Sequence, residues 1–418
     1  MQNEKKILSA LIFILLISIL LSVINTAEIQ WSPADQLTTD SATDRNPCGT
    51  QFLQVDNETI WLVWASNRTG NYEVFYKNSS DGGDTWSNDM QLTSYPYRDD
   101  SPSIMQTANG SILVVWTREI IEPYQWDLYY TTSNDGGSTW SSREPLTTDP
   151  NFDLSPSITQ TANGTIWVVW QSDRIWVNDP EAGGNIPQDD LFYTTSSDGG
   201  ATWSNDTRLT NHTKDDIGPS ITQTTDDKIW VTWVSDRYDS RDIFYKTSSD
   251  GGTTWSDDFQ LTGHTGSELS PSITQNNGTI WIVWHSARVG NYEIYYATSD
   301  DGGANWSNER RLTVDPGVDI TPSITQTANG TIWIFWASNR AGNYDIWYRT
   351  TIHDGSHWGA DIDRDGDVDH TDVALFAGSY GCSIGDKGYS LNADYNGDGE
   401  VDGNDLALFL IYYYGSIP

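Results

Sequence analysis

Two stretches near the C-terminus set side-chain oxygens at a fixed period. The first reads Asp361-Ile362-Asp363-Arg364-Asp365-Gly366-Asp367-Val368-Asp369-His370-Thr371-Asp372. The second reads Asp394-Tyr395-Asn396-Gly397-Asp398-Gly399-Glu400-Val401-Asp402-Gly403-Asn404-Asp405. Oxygens at loop positions 1, 3, 5, 9 and 12, with glycine at position 6, suit a calcium ion, which prefers hard oxygen donors. Position 7 offers its backbone carbonyl, so Asp367 and Glu400 need not use their side chains. Asp372 and Asp405 stand where a longer Glu is usual, and the shorter arm alters denticity or ligand distances. The expectation is two calcium ions. A second kind of chemistry lies upstream, where a carboxylate and an arginine recur together six times. The acids are Asp44, Asp99, Asp153, Asp216, Glu268 and Asp319, and the arginines are Arg68, Arg118, Arg174, Arg237, Arg288 and Arg340.

These charges ride on a repeat with a spacing of roughly 50 residues. A strand-like run of the type Thr-Ile-Trp-Val-Val-Trp ends at Trp64, Trp116, Trp170, Trp233, Trp284 and Trp336. A turn precedes it, often Asn-Gly as at Asn163-Gly164, which signals a hairpin because both residues tolerate positive φ. Before the turn comes Pro-Ser-Ile-Thr-Gln-Thr, as at 156–161. A third strand follows the Trp, as at 291–296, and a short fourth strand ends in Leu-Thr, as at Leu209-Thr210. Four strands joined by short turns make one propeller blade. Trp31-Ser32 and Leu37-Thr38 match a fourth strand with no first three, whereas the last unit lacks its fourth. The N-terminal strand is therefore expected to complete blade 6, pairing residues 31–38 with 343–351 and removing the free edges. The fold class is all-β, a six-bladed propeller closed by the N-terminal strand, plus a small α-helical, EF-hand-like calcium module.

Between strands 3 and 4 stands Ser-x-Asp-x-Gly-x-Thr-Trp, at Ser79–Trp86, Ser133–Trp140, Ser196–Trp203 and Ser248–Trp255, with a near copy at Ser299–Trp306. This octet resembles the Asp-box, or BNR repeat, of sialidase-like propellers, where it is a fold element away from the working face. Its Asp and Ser suit turn amides, its Gly a positive φ, and its Trp the space between sheets. The acid and arginine rings fall on the opposite face. The resemblance implies that a sialidase would use arginines, a Tyr–Glu pair and an Asp there. However, the N-terminal Arg-Ile-Pro or Arg-Leu-Pro motif of sialidases is absent, and each blade carries nearly the same set. A ring of Asp–Arg pairs tying adjacent blades is the expected role. Specificity is sought where blades differ. Blade 2 has Arg118, Glu122, Tyr124 and Trp126, with Glu119 nearby. Blade 3 has the longest loop, 171–190, with Arg174, Trp176, Asp179 and Glu181, and blade 4 has Arg237, Tyr238 and Arg241. Exposed aromatics beside acids and amides suit a glycan or protein ligand.

Each oxygen ladder leads into an apolar segment, Val373–Phe376 and Leu406–Phe409. A duplicated loop followed by a single helix resembles a type I dockerin, which implies docking to a cohesin-type module. The recognition positions, His370-Thr371 and Gly403-Asn404, differ between the copies, which puts two-fold binding in doubt. At the other end, Lys5 and Lys6 precede an apolar run from Ile7 to Ile24, read as a signal peptide or a membrane anchor. Either places the chain in a secreted or cell-surface setting. The domain plan is 1–27 signal or anchor, 28–358 propeller and 359–418 calcium module. The chain of 418 residues carries 58 acidic against 22 basic residues, a net charge of −36, which excludes a nucleic-acid partner that needs clustered Lys and Arg. Cys48 and Cys382 fall in different modules and are read as unpaired thiols. Sequons such as Asn67-Arg68-Thr69 are open to glycosylation in an exported chain. The expected function is a non-catalytic glycan- or protein-binding propeller held by its dockerin-like module to a scaffold. The alternatives are a sialidase-like glycoside hydrolase and an adhesive or structural surface protein.

Overall fold

The computed structural model describes residues 29, 31–52, 59–179, 184–238, 240–327, 330–351, 370–382 and 401. The chain divides into two compact units, Pro33–Thr350 and a second made of Met1–Ser32 with Thr351–Pro418.

The first unit is six antiparallel four-stranded sheets. Blade 1 comprises β2 (Asp44–Phe52), β3 (Thr59–Ser66), β4 (Glu73–Ser79) and β5 (Met90–Gln91). Blades 2 to 5 repeat this order, beginning at Asp99, Asp153, Asp216 and Glu268. Blade 6 is β22 (Asp319–Gln326), β23 (Ile332–Ser338), β24 (Asp345–Thr350) and, as its outer strand, β1 (Asp35–Gln36). Asp35 pairs with Tyr348 and Gln36 with Trp347, so the ring closes with its N-terminal strand as the repeat predicts. The second strand of each blade is buried on both faces, which is why it reads as an unbroken apolar run.

Three kinds of contact recur at the seams. The innermost is a hydroxyl rung, with Cys48 in the place of its Ser in blade 1. The Ser of Pro-Ser-Ile accepts the Ile amide of the next blade, as in Ile158 N–H to Ser103 at 3.3 Å and Ile221 N–H to Ser157 at 3.1 Å. On the hairpin face, the amide of Ala108 donates to Gln160 and that of Ala162 to Gln223, both at 2.6 Å. Further out, the Asp-box docks on the preceding blade. Asp81 Oδ1 accepts the Thr85 amide at 2.9 Å, and Trp86 meets Trp333 edge-on at 6.2 Å. The second box glycine gives that Trp room. A Cβ on Gly252 would stand 2.2 Å from the ring of Trp167.

One feature was not foreseen. Every first strand carries a register shift, and the residue before its Pro lies at positive φ: Asn46, Ser101, Ser155, Gly218, Ser270 and Thr321. A bulge is one of the few places in a sheet that accept a Pro, which has no amide to donate. These residues and their prolines line a central channel.

In the second unit the described part is a helix, α1 (His370–Ser379), whose following turn bonds Val401: Gly381 donates to its carbonyl at 2.7 Å, and its amide donates to Cys382 at 2.9 Å. This helix carries the apolar segment Val373–Phe376. The ligand side chains of both ladders lie outside the described residues.

Gly251 and Gly252 both have positive φ, but a Cβ on Gly251 meets nothing within 4 Å. The pair isolates the seam contact from backbone strain. Gly252→Ala is expected to destabilise the propeller by about 1–3 kcal/mol more than Gly251→Ala, an overpacking cost, measured by chemical denaturation.

Candidate functional site

The repeating acids and arginines do meet, but within blades rather than between them. Arg68 holds both oxygens of Asp44 at 3.0 and 3.1 Å, and its other nitrogens reach Asp89 and Ser66. Arg174 and Arg237 repeat this with Asp153 and Asp206, and with Asp216 and Asp258. Arg288 holds Glu268 and Glu309, and Arg340 holds Asp319. The geometry explains the change from the expected tie between blades. The acid begins strand 1 and the arginine ends strand 2, and these strands are sheet neighbours. Arg118 grips Asp99 through Nε and Nη2 at 2.7 Å, lies 4.1 Å from the Tyr95 ring and is only 6 % exposed. Arg118, Arg174 and Arg237, read from the sequence as ligand contacts, thus direct their donors at buried carboxylates of their own sheets.

A second acid ring escaped the sequence reading. Glu73, Asp127, Asp190, Asp242, Glu293 and Asp345 lie at equivalent places in the third strands and are buried. Glu73 takes the Thr93 hydroxyl at 2.6 Å and the Tyr95 amide at 2.7 Å, so it pins the loop to the next blade. Burial pushes the carboxyls of Asp127, Asp190 and Asp345 up to about 6. Asp189, half-buried beside them, is pushed up to about 7, first by burial and then by Asp215 and Asp173. His285 is the opposite case. Burial drives it down to about 3, and its Nδ1 accepts the amide of Thr321 at 3.2 Å. It satisfies a strained residue of the next blade, as Thr117 does for Ser155 and Gln171 for Gly218.

Near the channel, the six-fold pattern breaks. The residue after the first-strand acid is Leu154, Ile217, Leu269 or Ile320 in four blades, but Arg45 in blade 1 and Asp100 in blade 2. Arg45 and Arg98 both ion-pair with Asp100, Arg98 at 3.1 Å. Asn46, which lines the channel, donates to Asp100 at 2.9 Å. Arg45 lies 3.8 Å over the Tyr72 ring, and Arg98 lies 5.4 Å from Trp126. The Nε atoms of Arg45 and Arg98 are shielded from solvent and lack a hydrogen-bond partner. Only an alignment of the six first strands on one another would have revealed this substitution.

The aromatics chosen from the sequence lie on blades 2, 3 and 4. Tyr124, Trp176 and Tyr238 are 57, 57 and 58 % exposed. Trp126 donates to the Tyr124 hydroxyl at 3.3 Å, and Tyr124 meets Phe152 edge-on. Glu122 is exposed before Pro123. The expected loop of blade 3 is a paired hairpin instead, with Trp176 opposite Pro187 and Asp179 opposite Gly184. Alternating residues from Ile175 to Asn178 let it extend the sheet. Glu181 lies outside the described residues, as do the ladder side chains Asp361, Asp363, Asp365, Asp367, Asp369, Asp372, Asp394, Asn396, Asp398, Glu400, Asp402 and Asp405.

Residues 95–284 match the family described as BNR repeat-like domain. No curated protein matches the chain. Among solved structures, a Dyadobacter fermentans protein of unknown function aligns with a TM-score of 0.60 at 16 % identity, over 77 % of this chain and 98 % of that one. The GH93 α-L-arabinofuranosidase of Fusarium graminearum aligns at 0.55 and 15 %, over 74 % and 92 %. The NanB sialidase of Streptococcus pneumoniae aligns at 0.56 and 12 %, over 77 % and 71 %. At such identities the likeness is one of fold: a sialidase-like six-bladed propeller.

Asp345 has a raised folded pKa and no cationic partner, with Gln36 and Asn343 as its donors. A raised carboxyl binds more protons folded than unfolded, so its stabilisation is present at low pH and lost as pH rises through about 6. Asp345→Asn should therefore lower the dependence of unfolding free energy on pH between about 4 and 7, read from denaturation curves across that range.

Proposed function

We propose that the propeller binds a glycan on the face formed by the 2–3 and 4–1 loops, across blades 1 to 4. The observation that carries this reading is the break in symmetry. Arg45, Arg98 and Asp100 replace aliphatic or loop positions of the repeat and leave two Nε donors unpaired. Trp126 lies by Arg98, and Tyr124, Trp176 and Tyr238 offer exposed rings on blades 2, 3 and 4. Sugar recognition combines such rings with a few fixed polar groups. The solved relatives named for sialidase and arabinofuranosidase activity lend support to a carbohydrate ligand, through fold alone.

A second reading, glycoside hydrolysis, is favoured by one observation. Asp189 is pushed up to about 7, first by burial and then by its neighbours Asp215 and Asp173. A carboxyl raised toward neutrality within a group of acids is an arrangement a general acid can use. The buried acid rings do not serve this reading, since their carboxylates are held by arginines of their own blades or by loop hydroxyls and amides.

The same proposal carries the C-terminal segment. The ladders from Asp361 and Asp394 hold two calcium ions and fold a dockerin-like module that seats the propeller on a cohesin-type partner. The N-terminal apolar run exports or anchors the chain. The oxygen spacing and the helix after the first ladder support this reading.

A glycan array followed by calorimetry tests the binding reading. Trp176→Ala should weaken the best ligand about two- to tenfold, the worth of one aromatic contact, and a joint Arg45→Ala, Arg98→Ala change should weaken it further. Ligand turnover that Asp189→Asn abolishes would replace binding by hydrolysis. For the module, capture by a cohesin panel should require calcium and vanish in excess chelator. Capture that persists without metal would exclude calcium-dependent docking.

A further inference from the structure

Blade 5 departs from its neighbours in a different way. Both acids that Arg288 holds are Glu rather than Asp, Glu268 at the start of the first strand and Glu309 after the box. The loop entering the blade supplies His264, whose Nε2 lies 3.0 Å from Glu309 Oε2. One ligand atom from each of these three residues lies within 4.8 Å of the other two, the single such set among the described residues. Glu268 is fully buried, and no hydrogen bond of standard geometry reaches its Oε2; burial raises its carboxyl and the neighbouring Thr262 hydroxyl counters this. Across the seam, the buried Asp242 also has one unpartnered oxygen, Oδ1, and its carboxyl senses His264 and Glu309.

Orphaned buried carboxylate oxygens are costly unless a cation or proton meets them. A proton alone would not explain the histidine. We propose that His264, Glu268 and Glu309 form a binding site for a divalent transition ion of the zinc class at the seam of blades 4 and 5. One imidazole nitrogen and two carboxylate oxygens are a donor set such ions accept, whereas calcium takes oxygens. Arg288 then acts as the outer partner. It holds Glu268 by Oε1, leaves Oε2 to the ion, and orients Glu309 in the same way. Without metal, His264 Nε2–H donates to Glu309; on binding, that proton is released and the neutral ring, as its Nδ1–H tautomer, presents the Nε2 lone pair to the metal.

Blade 4 is an internal control. His212 stands two residues after Thr210, as His264 does after Thr262, but the acids there are Asp216 and Asp258. The shorter side chains form no such set with His212. The same loop position is Asp149 in blade 3 and Asp315 in blade 6, where a carboxylate approaches the ring arginine at 3.9 and 3.8 Å. The position therefore already points toward the ring arginine, and blade 5 converts it into a nitrogen donor.

The test is zinc uptake by the full chain in excess calcium, by equilibrium dialysis with elemental analysis, with cobalt absorption spectra reporting nitrogen–oxygen coordination. Wild type and His212→Ala should each take up one zinc at this site with the same affinity. His264→Ala and Glu309→Gln should weaken uptake by about tenfold or more, since even an outer-shell partner is worth that much. His264 is nearly half exposed, so its zinc-free unfolding midpoint should stay at the wild-type value. Absence of zinc uptake by wild type, uptake unchanged in His264→Ala, or equal loss in His212→Ala and His264→Ala would each overturn the site.

Discussion

Every seam of this propeller must be sealed by residues that also fit the blade before and the blade after. A ring of six sheets has no spare edge, so similar residue sets serve successive seams. The Ser hydroxyl rung at the channel, the Gln bridge on the hairpin face and the box Trp against the preceding aromatic are such a set. Ion pairs between first-strand acids and second-strand arginines fasten the opposite ends of the strands. Breaking a buried pair leaves an uncompensated charge, which is why these residues are retained blade after blade. The repeat in the sequence is thus the imprint of closure, and its most conspicuous charges are largely used by the scaffold.

Much of the fold was legible for that reason. The six Trp-ending runs set the blade count, and the stray Leu37-Thr38 showed how the ring closes. What stayed hidden shares a physical cause. The first-strand bulge was masked because Ser-Pro-Ser reads as a break before a strand, although a bulge accepts proline within one. The buried acids at Glu73 or Asp190 look like ordinary polar flanks, since nothing local says that a neighbouring loop will fold over them. The pairing of acid with arginine was foreseen but placed between blades, because sequence distance does not tell which strands are neighbours. Arg45 and Asp100 were overlooked because their meaning lies in comparison with Leu154 and Ile217 on other blades.

The proposed sites use positions released from closure. Arg45, Arg98 and Asp100 with their aromatic surroundings, the Trp176 hairpin, and the Glu-for-Asp changes around Arg288 all break the repeat on one face. Low local symmetry is what a single ligand requires, because different groups must meet different parts of it. The net charge of −36 gives this face a background against which a paired-arginine patch is a local exception. It also sets many acids close together, and burial and mutual repulsion raise several of them toward neutrality.

The central claim, that the repeating charges hold the ring and the exceptions do the work, is tested most directly by unfolding free energies. Each of Arg68, Arg118, Arg174, Arg237, Arg288 and Arg340 is changed singly to Met, and Arg45 and Arg98 likewise, and all are measured in the same denaturant series. The account predicts a loss of about 3–5 kcal/mol at all six ring positions, the cost of stranding a buried carboxylate. It predicts losses below about 1 kcal/mol at Arg45 and Arg98, in line with more exposed ion pairs. A ring arginine whose removal leaves stability unchanged would contradict it, because that side chain would be free for a ligand.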